Sequence, residues 1–257
     1  MHSKDIDILY LMQRFFGVGH VTLHGNAAMY QVVKLSDLAF IIEHFDNYPL
    51  KTKKYGDFLL FKQAFYIVKI KEHLTKEGLT KLVAIRATLN KGLPFRLSVA
   101  FTNVTPVPRP QMNKTNLDYN TPGIKPWLAG FVTGEGCFFI KVSKSSTHKL
   151  GKSVSLNLLI NQHKIDSDLL KSFTQILGCG TYSIKKDSEV GTFLVTGFNN
   201  ILDKVIPIFD ENPILGIKAK DFEDFKEASV LIKNKAHLTP EGLEKILLIK
   251  SRMNTKR

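Results

Sequence analysis

Apolar positions over residues 5–16 fall at Ile8, Leu9, Leu11, Met12 and Phe15, the spacing of one helix face. The pattern stops at Gly17. A similar amphipathic stretch over 166–177 stops at Gly178, and both glycines suit the residue just past a helix end. Beyond each lie two short alternating runs, 20–24 with 29–33 and 181–186 with 192–196, which predict strand pairs joined by a polar turn. Helices follow over 36–45 and 199–209. After a Pro-containing loop come longer ones over 55–72 and 219–235. "HLTKEGL" and "HLTPEGL" then open a last helix, with Thr239 as N-cap, Pro240 in the first turn and Glu241 at the positive helix end. His73 and His237 sit beside this capping box, which favours structural use over a paired catalytic motif.

These parallels are one repeat. "HFDNYPLKTKKYGDFLLFKQAF" (44–65) resembles "IFDENPILGIKAKDFEDFKEAS" (208–229), and "KIKEHLTKEGLTKLVAIRATLN" (69–90) resembles "KNKAHLTPEGLEKILLIKSRMN" (233–254), at a constant offset of 164. Upstream, "FFGVG" (15–19) matches "ILGCG" (176–180) at offset 161. The chain therefore reads as two copies of one α+β unit, residues 1–101 and 125–257. A linker over 102–124 separates them. Pro106, Pro108, Pro110, Pro122 and Pro126 forbid regular structure through 102–126.

The second copy has an additional front end, 125–165. Trp127–Thr133 can form a helix on which Gly130 and Gly134, four residues apart, leave one face bare. Such a face permits very close approach of another helix. Glu135 follows at the C-terminal end, where the helix dipole disfavours an anion and a divalent metal would compensate. An exposed acid in a glycine loop accounts for the same residues equally well. A hairpin comes next. Phe138, Ile140 and Val142 alternate with Lys141, Ser143 and Ser145; Val154, Leu156, Leu158 and Ile160 alternate with Ser155, Asn157 and Asn161. One face is core. The other, with Lys186 from the following strand pair, carries groups able to reach phosphates and base edges.

Charge sharpens this picture. The 257 residues carry a formal net charge of +13, which suits a polyanionic partner. Hydrophobic residues make up 44% of the chain, enough for one large core or two small ones. Cys137 and Cys179 are the only cysteines, so neither a disulfide framework nor a CxxC zinc site is available. No apolar run reaches the roughly 20 residues of a membrane span, and the start has neither a signal core nor an Arg/Ser-rich presequence. If the protein works in an organelle, it is expected to be made there.

At this point the residues resemble a family. "LAGFVTGEG" (128–136) is similar to the LAGLIDADG motif, and the flanking Trp127, the following "CFF", the paired "HLTxEGL" and the Pro-rich linker resemble the two-repeat LAGLIDADG homing endonucleases of mitochondrial introns. The resemblance implies an α+β fold of two pseudo-twofold-related repeats whose antiparallel sheets form a saddle on double-stranded DNA. It implies a monomer, with dimerisation through the lone motif helix as the alternative, and a mitochondrial location. Glu135 matches the motif acid that binds Mg²⁺ or another divalent cation and the scissile phosphates. Gln162, and Lys218 with its repeat partner Lys54, match supporting polar and lysine positions. Projecting the repeat backwards places the first copy's own motif and front hairpin before Met1. The first sheet is then expected to have two strands, and double-strand cleavage is expected to be weak or absent, with nicking at most. A non-cleaving binder of nucleic acid, such as an intron RNA splicing maturase, is the alternative function.

Overall fold

A computed structural model describes residues 1–89, 92–111 and 121–254. Asn90, the partner of Asn254 in the repeat, and linker residues 112–120 lie outside the described residues. The first copy runs α1 (Ile6–Phe16), β1 (His20–His24), β2 (Ala27–Gln31), α2 (Leu35–Asn47), α3 (Lys54–Lys69) and α4 (Lys76–Thr88). A short helix, α5 (Phe95–Ala100), follows; no sequence pattern announced it. Then come α6 (Ile124–Glu135), β3 (Gly136–Lys144) and β4 (Lys152–His163). The second copy continues with α7 (Ser167–Leu177), β5 (Thr181–Ile184), β6 (Val190–Val195) and α8 (Phe198–Asn200). A π turn (Ile201–Val205) leads into α9 (Ile206–Glu211), and α10 (Ile217–Lys233) and α11 (Pro240–Ser251) end the chain. The order helix, two strands, helices is the repeat read from sequence.

Local chemistry explains the departures. Strand β2 starts two residues early because Gly25, at positive φ, and Asn26 make a two-residue hairpin turn. Strand β5 stops at Ile184, so Lys186 sits in a turn closed by the Ser188 amide on the Lys185 carbonyl. The long helices end sooner than periodicity implied. Lys71 and Lys235 take left-handed conformations, and a short 3₁₀ turn intervenes before α4 and α11. Thr75 and Thr239 then cap these helices, accepting from Gly78 N at 3.0 Å and Gly242 N at 3.1 Å. The irregular stretch ends sooner than its prolines suggested: Pro126 lies inside α6, tolerated in the first turn where an amide would have no helical partner.

The chain divides into two compact units. One comprises Met1–Leu9, Leu23–Ala28 and Asp118–Arg257; the other comprises Tyr10–Thr22 and Met29–Leu117. In the second, α2 and α3 share a core of Ile42, Phe58 and Phe65, flanked by Leu38, Phe45 and Tyr55. His44 is ringed by Phe15, Phe16, Phe45 and Tyr48. Tyr30 Oη donates to the Val18 carbonyl at 2.7 Å, tying β2 to the end of α1.

The first unit holds an antiparallel four-stranded sheet in the order β3-β4-β6-β5, while β1 and β2 form a two-stranded sheet. Gly136 pairs with Ile160 and Lys141 with Ser155. The alternation sends Phe138, Ile140, Leu156, Leu158, Ile160, Phe193 and Val195 to one buried face. Helices cover that face. Phe138 packs on Phe209, Phe222 and Phe225 at 5.0–5.8 Å between ring centres. Phe173 meets Phe193 at 5.6 Å and Phe131 at 5.5 Å, and Trp127 stacks on Phe131. Leu128, Ala129 and Val132 bury the inner side of α6, which fixes the helix that ends in Glu135. Among the described residues, no helix is long and apolar enough to cross a membrane.

Candidate active site and nucleic-acid interface

Helix α6 ends at Glu135, with Gly136 as its C-cap and first residue of β3. The transition is tight: a Cβ on Gly136 would strike the Val132 side chain at 2.5 Å. The last carbonyls of a helix lack internal partners, and a carboxylate beside them is repelled by the dipole. A metal was expected to relieve that repulsion, but the chain itself supplies a cation. Lys218 Nζ, from the first turn of α10, donates to Val132 O at 3.1 Å and to Gly134 O at 3.2 Å. Burial lowers the Lys218 pKa, and the carboxylates of Glu135, Asp5 and Asp221 act in the opposite direction.

Three further residues brace this corner. Asp221 Oδ1 accepts from Asn254 N at 3.0 Å. Asn254 Nδ2 donates to Phe138 O at 3.1 Å, and Cys137 Sγ donates to Asn254 Oδ1 at 3.3 Å. Burial pushes the Cys137 thiol up, with Lys218 opposing, so the thiol serves as a neutral donor. From the start of the chain, Asp5 Oδ1 accepts from Ile217 N at 2.7 Å. An open cleft of about 570 Å³ lies between these parts, with Met1, Asp5 and Ile8 facing Gly130, Gly134 and Lys218. The bare glycine face opens into it. A Cβ on Gly130 or Gly134 would meet nothing within 4 Å, so the close helix contact expected for this face does not occur among the described residues.

Lys218 thus sits at the helix end that carries Glu135. Gln162 lies two residues beyond Ile160, the partner of Gly136, on the same strand face, and its Oε1 accepts from His163 N at 3.0 Å. It does not line the cleft. Lys54 is employed differently from its repeat partner: it pairs with Asp57 at 3.1 Å, one helical turn on, and Arg109 lies 3.0 Å from the same carboxylate. Asp221 was detectable, because Asp57 matches it at offset 164. Asp5 matches Asp166 at offset 161, but only the fold shows that it reaches α10.

The described residues contain no group of three or more His, Cys, Asp or Glu side chains able to hold a metal. The exposed Glu135 carboxylate fits a hard cation that keeps waters and takes its remaining ligands from phosphate, as Mg²⁺ does.

The outer face of the four-stranded sheet carries Lys141 beside Ser155, and Ser143 beside Ser153. Lys141 and Ser155 are exposed, as is Lys186 in its turn. Ser145 falls just past β3, and its Oγ lies 2.7 Å from His148 Nδ1. Asn157 shares this face, opposite Phe139, but only 4% of its surface is exposed. Its amide is spent on Ser155 O and Oγ, both at 3.3 Å, so a buried polar group is satisfied locally and Ser155 is presented in its place. Thr192 and Asn161, 2.8 Å apart, extend the polar face onto β6; Thr192 was not singled out in the sequence.

The family model for LAGLIDADG endonucleases matches residues 1–65 and 128–229. Two relatives from Neurospora crassa, probable intron-encoded endonucleases 3 and 2, are 36% and 37% identical over 98% of this chain. The chain spans 47% and 56% of their lengths, about half of the curated relatives it matches. Among solved structures, the I-SmaMI homing endonuclease bound to cleaved DNA matches with a TM-score of 0.93 and 38% identity, covering 100% of this chain and 85% of that one. The I-LtrWI homing endonuclease bound to target DNA matches with a TM-score of 0.91 and 38% identity, over 100% and 86%.

Proposed function

The chain belongs to the LAGLIDADG endonuclease family, and we propose that it is a site-specific DNA endonuclease of the intron-encoded kind, acting as a monomer in the mitochondrion. One observation carries this reading: the motif helix delivers an exposed carboxylate, Glu135, to the edge of a sheet whose outer face is polar and basic. Relatives named for introns, one in ND4 intron 1 of Podospora anserina, support the location.

In this reading Glu135 holds a divalent cation, and I-SmaMI on uncleaved DNA in the presence of calcium ions supports that choice. When bound, the cation polarises the scissile phosphate and lowers the pKa of a coordinated water. The protein's own part is to place groups. Glu135 presents hard oxygen at the helix end. Lys218 neutralises the carbonyls behind it and keeps the carboxylate from being turned away by the dipole. Lys141 and Lys186 bind phosphates, while Ser143, Ser145 and Ser155 face the groove. Gln162 supports the strand end beside Glu135.

A supercoiled plasmid carrying the intron-insertion locus, incubated with the purified chain and Mg²⁺, tests this. Nicked or linear product at one mapped position is expected. Tight binding without any phosphodiester cleavage would move the chain to the non-cleaving nucleic-acid binders.

A further inference from the structure

We propose that Asp5 is a positioning residue, a latch that fixes the first turn of α10 so that Lys218 grips the end of the motif helix. The inference rests on the reading of Glu135 and Lys218 as the active centre.

The latch can be followed bond by bond. The Asn26 carbonyl accepts from Ser3 N, and Ala28 N donates to Met1 O, both at 2.8 Å, so the first hairpin holds the chain start. Asp5 N bonds His2 O at 3.0 Å, closing a 3₁₀ turn that aims the carboxylate outward. Asp5 Oδ1 then takes the Ile217 amide at 2.7 Å. Ile217 is the first residue of α10, where amides lack helical partners and the dipole welcomes an anion. Lys218 is next, so the phase of that turn decides where its side chain departs.

Gly216 makes the fit exclusive. Its φ of +66° and ψ of −155° belong to a region that essentially only glycine enters. A Cβ there would run into Asp5 Oδ1 and come within 2.8 Å of Ile8 Cδ1. A strained glycine and a long-range carboxylate thus converge on the residue before Lys218, and the Asp5 charge also acts on Lys218 itself.

The test compares Asp5→Asn, which keeps an acceptor oxygen, with Asp5→Ala and Asp5→Ser, which do not reach Ile217. Thermal unfolding first selects the variants that fold. In Asp5→Ala, or Asp5→Ser if the alanine variant does not fold, single-turnover DNA cleavage should fall about a hundredfold, the scale of a 1 Å misplacement. DNA affinity should stay unchanged, and hydrogen exchange at the Ile217 amide should accelerate. Asp5→Asn should restore both the rate and the protection. Asp5→Asn as impaired as Asp5→Ala would overturn the latch, as would Asp5→Ala cleaving at the unsubstituted rate. If the unsubstituted chain cleaves nothing, the endonuclease reading fails on its own; the latch then stands or falls on whether Ile217 loses protection in Asp5→Ala and keeps it in Asp5→Asn.

Discussion

The Lys218 ammonium lies 3.2 Å from the Gly134 carbonyl, one residue before Glu135. It also takes Val132 O, so two carbonyls at the negative end of α6 are occupied by one cation from α10. Lys218→Met should leave both without that donor. A loss of about 1–3 kcal/mol in unfolding free energy is expected, the usual cost of stranding partly buried acceptors. Denaturant titration measures it, and an unchanged midpoint would show that water replaces the ammonium without loss.

Glu135→Gln keeps the shape of the side chain and removes its charge. Phosphodiester cleavage in Mg²⁺ should disappear, while affinity for the target in calcium changes little, because the lost group serves the cation and not the bases. Wild-type cutting by this variant would remove Glu135 from the reaction.

The sheet face separates two kinds of residue. Lys141→Ala and Lys186→Ala should each weaken binding to all sequences and lower the slope of log affinity against log salt by about 0.9, one phosphate contact apiece. Asn157→Ala should act otherwise. Asn157 is buried and bonded to Ser155, so its removal should cost about 0.5–1.5 kcal/mol of stability, the net worth of a lost hydrogen bond whose other partner reaches water, and should leave sequence preference intact. Filter binding over a salt series, with a target-site library, distinguishes the outcomes.

Burial holds the His44 pKa below its usual 6.5 inside its cage of aromatic rings. His237 is lowered too, by burial and by His148. The unfolded chain therefore binds protons that the folded chain does not, in the window from 6.5 downward to each folded value. Stability should rise with pH through that window and level off above it. His44→Leu should flatten part of this slope, as thermal melts between pH 5 and about pH 8 would reveal.

How much of this was legible beforehand differs from part to part. The repeat, the capped helices after Thr75 and Thr239, and the alternation of β3 and β4 were readable because they depend on neighbours in sequence. So was Glu135, whose place after an apolar helix makes it conspicuous. The long-range bonds around Lys218 were not. Asp5 meets Ile217 across 212 residues, and Asn254 meets Cys137 across 117, and no local pattern encodes such pairs. The burial of Asn157 was illegible for a related reason. Alternation states which face a residue occupies, but not whether its neighbours leave it open to solvent.

The unit that carries Glu135 is assembled from segments far apart in sequence, Met1–Leu9 and Leu23–Ala28 with Asp118–Arg257. Synthesis proceeds from one end. At roughly 5–20 residues per second, Asp5 emerges from the ribosome about ten to forty seconds before the Ile217 amide it must accept. A nascent chain arrested just short of Ile217 lacks the amide that the Asp5 carboxylate accepts, although the Ser3 and Asp5 amides already have Asn26 O and His2 O to bond. The Asp5 carboxylate must wait for its amide while the residues between the two are made, and the order of translation lets the Lys218 corner set only after them.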